Sequence, residues 1–226
     1  MEHEHSPDAI RRRLESGPKH NYLRDWIYGG IDGAVTTLAV VTGVAGAQLS
    51  NWIILALGFA NLFADGFSMA SSNYLGTKAE HDDWRRLQHI ENRHIDLAPD
   101  GEREGEQLTR IVELITADRE RWVQTMLMDE YGLPQSVRSP WIAALCTFTA
   151  FLICGLAPLV PYIFRTEHSL ALSVALTAIV FFAIGSLKSR WSTSSWWHSG
   201  FTTLLVGAIA ASLAYCTGVV IKRLLG

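Results

Sequence analysis

Charge is nearly missing from two long stretches of this chain. Between Trp26 and Leu75 the only Asp, Glu, Lys or Arg side chains are Asp32 and Asp65. Between Trp141 and Ile221 they thin out to Arg165, Glu167, Lys188 and Arg190. Segments this bare belong in a bilayer rather than on a water-exposed surface. Cysteine is scarce too. Cys146, Cys154 and Cys216 all lie in apolar stretches, which excludes a disulfide framework and a CxxC zinc site. No basic excess exists: the formal net charge is -3, so nucleic acid is not an expected partner. Residues 1–20 are polar without an apolar core, so no cleavable signal peptide is expected there. Period-2 alternation is absent from the polar middle of the chain, which argues against a sheet.

What is present divides the chain into a polar tail at 1–20, a first apolar pair at 21–75, a charged insert at 76–139 and a second apolar block at 140–226. Five stretches reach the roughly 20 residues that a bilayer needs. They run from about Trp26 to Ala47, Trp52 to Leu75, Trp141 to Phe164, Leu170 to Leu187 and Trp196 to Ile221. The expected fold is an all-α integral membrane protein with five transmembrane helices and a cytosolic helical metal-binding insert between helices 2 and 3. Trp26, Trp52, Trp141, Trp191, Trp196 and Trp197 sit at or near span ends, as interfacial aromatics do. Arg11, Arg12, Arg13, Lys19 and Arg24 before the first span, with Lys188 and Arg190 after the fourth, place those ends in the cytosol. The N-terminus and the insert are then cytosolic. Lys222 and Arg223 run against the outside C-terminus that five spans require. Within the insert, helices are predicted from Lys78 to Ile95 and from Glu106 to Tyr131, separated by the Pro99-Asp100-Gly101 turn and closed by Gly132-Leu133-Pro134.

Two constellations carry chemistry. A carboxylate at bilayer depth costs roughly 2.5–3.5 kcal/mol on insertion scales, so Asp32 and Asp65 need a reason to be there. Asn61, Asp65 and Met69 recur every four residues and share one helix face. Counting from the cytosolic ends puts Asp32 and Met69 both about 9 Å deep and Asp65 about 6 Å deeper. Carboxylate, amide oxygen and thioether together suit a borderline transition metal such as Fe²⁺ better than Mg²⁺ or Ca²⁺. The bland alternatives are a packing role for Met69 and a polar helix contact for Asp32. The second constellation lies in the insert: Glu91 and His94 one helical turn apart, then Glu102, Glu104 and Glu106, then Met126, Met128, Asp129 and Glu130. These donors suit Fe²⁺, Mn²⁺, Co²⁺ or Zn²⁺, although a run of glutamates is more often a solvated face. Only one Glu-x-x-His is present, so a ferritin-like oxidase, which needs two, is not expected. His3 and His5 read as part of a polar terminus, and His168 and His198 have no visible partners.

At this point the sequence resembles the vacuolar iron transporter family. The matching segments are Arg-Asp-Trp-Ile-Tyr-Gly-Gly-Ile-Asp-Gly at 24–33, Gly-Phe-Ser-Met-Ala-Ser-Ser-Asn-Tyr-Leu-Gly-Thr-Lys-Ala-Glu at 66–80 and Arg-Trp-Val-Gln-Thr-Met-Leu-Met-Asp-Glu-Tyr-Gly-Leu at 121–133. Pro-Leu-Val-Pro-Tyr at 158–162 and Leu-Val-Gly-Ala-Ile-Ala-Ala-Ser-Leu-Ala-Tyr at 205–215 are similar as well. The resemblance implies export of divalent iron or manganese from the cytosol by proton antiport, in a homodimer whose metal path runs between the first two helices. It implies translocation roles for Asp32 and Met69 and insert ligands at Glu91, Glu102, Met126 and Glu130, with Glu106 as the partner of Glu102. The chain departs from the family pattern where His94 replaces a glutamate, Leu127 a methionine, Asn61 a glutamate and Asp65 a small residue. The insert is also shorter by roughly a helix. The expectation is therefore a non-enzymatic transporter with no prosthetic group, its partners being divalent metal, protons and the lipid bilayer. Its rival is a membrane-anchored metal sensor or storage module that binds metal without moving it.

Overall fold

A computed structural model describes residues 21–97, 116–132, 138–189 and 195–225. Every element among them is helical: α1 Leu23–Gly46, α2 Asn51–Leu97, α3 Arg119–Asp129, α4 Pro140–Leu156, α5 Val160–Ile163, α6 Ser169–Lys188 and α7 Trp196–Leu225. Among the described residues five helices are long and apolar enough to cross a membrane, α4 and α5 counting together as Pro140–Ile163. The all-helical class and the five spans are as expected from hydropathy. The chain divides into two compact units, Tyr22–Leu75 with Pro140–Gly226 in one and Gly76–Ser139 in the other.

In the first unit α1 is central and packs on α4, α6 and α7. Glycine makes this possible. A Cβ at Gly29 or Gly33 would fall onto the carbonyl oxygens of Thr147 and Phe151 in α4, and one at Gly46 onto that of Tyr215 in α7. Small residues at such crossings let backbones touch, which is how helices associate where water supplies no hydrophobic drive. Val41, Val44, Ile54, Leu62, Phe151, Leu159 and Tyr162 form one buried cluster, and Ile27, Ala34, Leu38, Cys154, Phe181 and Ile184 another. The α1–α2 turn is short, with Gln48 in the left-handed region (φ 55°). Lys222 of α7 donates to Gln48 Oε1, so the end of the last helix meets this turn, as an odd number of spans requires.

Two predicted helices are interrupted. The third span was expected to run unbroken from Trp141 to Phe164, but it passes through a 3₁₀ turn at Ala157–Leu159. Pro158 and Pro161 lack the N–H groups a continuous helix needs, and Ser173 of α6 donates to the Pro158 carbonyl at 2.6 Å instead. In the insert, the expected helix from Glu106 to Tyr131 is broken just before Arg119. Asp118 there is extended and its carboxylate accepts from the backbone N–H of Glu120 and Arg121, so it opens a new helix as an N-cap. Gly132 ends the chain's turn after α3 with φ +63°, its N–H bonded to the Met128 carbonyl, as the Gly-Leu-Pro sequence indicated. The Pro99 turn, Glu102, Glu104, Glu106, His3 and His5 lie outside the described residues.

Candidate metal sites

Hydrogen bonds set the register of α1 against α2. Asn61 Nδ2 donates to Thr36 Oγ1 at 3.1 Å and reaches Thr37 Oγ1 at 3.5 Å. At the other end of the pair, Asn73 Nδ2 donates to Asp25 Oδ1 at 3.0 Å. Stepping between these two ties along antiparallel helices brings Asp32 level with Asp65, with Met69 one turn away. The depth count had instead set Asp32 level with Met69, because it measured each residue from an assumed span end rather than from a contact. Both carboxylates, Asn61 and Met69 are half-buried. Thr36 is itself anchored, donating to the Asp32 carbonyl at 2.9 Å. Met69 packs against the buried cluster around Leu62 and Phe151, so its packing role is real. Its thioether lies on the stripe that carries Asp65.

Asp25 is a buried acid that sequence reasoning passed over, at 3% exposure. Its partner Asn73 also meets Thr147 Oγ1 at 2.7 Å and the Ala143 carbonyl at 3.2 Å, tying α1, α2 and α4 into one polar knot. The signal was available. Asn73 is the next step of the Asn61, Asp65, Met69 stripe, and Asp25 lies two helical turns before Asp32. The span expected from hydropathy begins at Trp26 and leaves Asp25 outside it, whereas α1 already begins at Leu23.

The insert places Glu91 on the face of α2 shared by Leu87 and Ile95, which packs with Trp122, Val123, Met126 and Leu127 of α3. Glu91 is fully buried. Tyr131 Oη donates to Glu91 Oε1 at 2.9 Å, and His94 Nδ1 stands 3.7 Å from the same oxygen. Glu91 Oε2 is buried without a hydrogen-bond partner. Leaving such an acceptor unmet costs about 1–3 kcal/mol, more for a charged group, and a cation would relieve it. Met126 is buried in the same small core, while Glu130 is exposed. Arg119 clamps α3 to α2, meeting Asp96 at 2.7 Å and donating to Asn92 Oδ1 and O. Its hydrogen bond holds the Asp96 carboxyl below the usual carboxylate range. Among the described residues no three His, Cys, Asp or Glu side chains come close enough to enclose a metal. The described part of the insert thus holds Glu91 and His94 together, with Glu102 and Glu106 outside it.

The sequence model of the VIT family matches residues 23–219. The chain is similar to "Vacuolar iron transporter 2" of Oryza sativa subsp. japonica, with 28% identity over 92% of this chain and 94% of that protein. "Vacuolar iron transporter 1" of Arabidopsis thaliana is 29% identical over 89% of this chain and 86% of its own length. "Vacuolar iron transporter" of Plasmodium berghei (strain Anka) is 24% identical over 97% and 89%. All three names are those of transporters rather than enzymes.

Proposed function

The chain belongs to the VIT family, and from that premise we propose that it moves divalent transition metal, Fe²⁺ foremost, across a membrane. The direction we propose is out of the cytosol, in exchange for protons, with Mn²⁺, Co²⁺ and Zn²⁺ as further cargo. The N-terminus and the insert face the cytosol, and two subunits pair as a homodimer. What supports this reading is the register of α1 against α2, in which the Asn61–Thr36 and Asn73–Asp25 hydrogen bonds bracket Asp32 and Asp65 inside the first two spans. Two acids facing each other in a bilayer repel unless a cation or proton lies between them. A dication neutralises both at once, and protons compete with it for the same oxygens. Asn61 and Met69 add an amide oxygen and a soft sulfur along the same face, a mixture that favours Fe²⁺ over Mg²⁺. Glu91, His94, Met126 and Glu130, with Glu102 and Glu106, would gather metal from the cytosol and raise its local concentration.

Proteoliposomes holding the full chain test this reading. An imposed pH gradient should drive Fe²⁺ flux, and Fe²⁺ flux should in turn move protons. The rival, a membrane-anchored sensor or storage module, predicts metal binding by the insert with no flux under any gradient. The intramembrane acids weigh against it, because an anchor has no use for them.

A further inference from the structure

We propose that Tyr131 is a positioning residue for Glu91, occupying Oε1 so that Oε2 alone meets the metal as a one-oxygen ligand. The inference rests on the reading of Glu91 as a ligand and adds a residue and a binding mode to it. A carboxylate can grip a cation with one oxygen or with both, and the two modes give different coordination geometries. At Glu91 the choice is already made. Oε1 accepts the Tyr131 hydroxyl at 2.9 Å, while His94 Nδ1 lies on the same side at 3.7 Å, beyond hydrogen-bond range. Oε2 is buried and has no hydrogen-bond partner.

The backbone explains how Tyr131 reaches this position. α3 stops at Asp129, and Gly132 turns left-handed with its N–H bonded to the Met128 carbonyl. That stop holds Tyr131 beside the helix end, where its ring lies back toward α2 and its hydroxyl meets a residue 40 positions earlier. Hydrogen bonds to the far oxygen of a ligating carboxylate orient it and tune its basicity, and removing one typically costs 10–100-fold in affinity.

Co²⁺ is the probe, because its visible absorption reports coordination geometry. Titrations use the full chain in detergent, in an Asp32→Asn/Asp65→Asn background that removes binding within the spans. Tyr131→Phe deletes one oxygen and keeps the ring. It should weaken Co²⁺ binding by about 10-fold and change the bound spectrum, as Oε1 becomes available for two-oxygen coordination. In a Glu91→Gln background the same substitution should change neither quantity further. Unchanged affinity and spectrum in Tyr131→Phe would overturn the inference while leaving Glu91 a ligand. So would an equal effect of Tyr131→Phe with and without Glu91→Gln, which would show that the hydroxyl acts elsewhere. Wild-type affinity in Glu91→Gln itself would overturn the ligand reading and the inference with it.

Discussion

Asp32 and Asp65 lie in apolar spans yet have polar company, whereas Glu91 lies in the charged insert yet is sealed in an apolar core. Composition and local environment run in opposite directions. In the spans, Asn61, Thr36, Asn73 and Thr147 form ties above and below the acid pair. In the insert, Leu87, Ile95, Trp122 and Met126 surround the helix face that carries a carboxyl with one unmet oxygen. Under the function proposed above, the difference separates two ways of holding a cation. One sets two half-buried carboxylates opposite each other, so repulsion between them favours the bound ion. The other buries a single carboxyl with a vacant acceptor, so its desolvation favours the bound ion. The first would suit an ion that must leave again. The second suits retention.

Breaking the membrane pair should have the largest effect. Asp32→Asn and Asp65→Asn should each lower Fe²⁺ flux in proteoliposomes about 100-fold, equivalent to about 2.7 kcal/mol, the order expected when one partner of a buried ionic contact is removed. Calorimetric binding by the insert should be unchanged in both variants. The double variant should be little worse than either single one, because each has already destroyed the shared site. Wild-type flux in either single variant would show that the two acids do not act together.

The insert should respond in the opposite sense. In metal-free protein, Glu91→Leu removes an unmet buried acceptor and should raise the stability of the insert by about 1 kcal/mol. In the wild type, Co²⁺ at 100 times its Kd should stabilise by about 2.7 kcal/mol, and Glu91→Leu should abolish that increment. Thermal melts followed by tryptophan fluorescence, with and without Co²⁺, read both quantities. A metal-free Glu91→Leu protein that melts much lower than wild type would mean that Glu91 is a structural residue, and the contrast between the two sites would collapse.

Met69 sharpens the membrane half of the comparison, because it packs against the core and also carries sulfur on the Asp65 face. Met69→Leu conserves volume and should cost under about 1.5 kcal/mol in stability. If sulfur selects the ion, Met69→Leu should lower Fe²⁺ and Co²⁺ flux several-fold while sparing Mn²⁺, a harder ion. Met69→Ala should add a packing defect that affects all ions alike. Competition assays with mixed metals distinguish the two, and equal loss for every ion in Met69→Leu would leave Met69 as packing alone.

Much of this was legible in the residues. Bare stretches around Asp32 and Asp65 gave the spans, because hydropathy integrates over twenty residues and tolerates errors at any one. Helix ends are set by single contacts, and there the sequence was less informative. Asp25 looked like a flanking charge until the backbone showed α1 starting at Leu23. The break at Pro158 and Pro161 could have been anticipated from their missing N–H groups, but the Ser173 hydroxyl that makes it tolerable lies in another helix. Glu91 was legible as a candidate and not as a buried group, since burial depends on α3 covering that face. Tyr131 carried no signal at all: its role comes from the left-handed turn at Gly132 and a partner far back in the chain.

The smallest effect is expected at the exposed pair in the insert, which serves as the control for Glu91. The Arg119 hydrogen bond holds the Asp96 carboxyl below its usual value, with the guanidinium charge acting in the same direction. A carboxyl that is more acidic in the folded state than in the unfolded one stabilises the fold wherever it is ionised in both. That contribution is present in full above the unfolded value of about 3.9 and is lost as pH falls from there through the depressed folded value. Between pH 5 and 8 it should therefore produce no pH dependence. Both groups are solvent-exposed, so screening keeps the contribution small. Asp96→Asn should lower the melting midpoint of the insert slightly at pH 7, and the difference should vanish once acid has protonated the wild-type carboxyl. Arg119→Ala should do more than Asp96→Asn throughout, because it also removes the bonds to Asn92 Oδ1 and O, which do not titrate. A difference between Asp96→Asn and wild type that did not shrink at all below the unfolded carboxyl's pKa of about 3.9 would show that the pair acts through shape rather than charge. An Asp96→Asn effect as large as that of Glu91→Leu would remove the distinction between a buried carboxyl and an ordinary surface one.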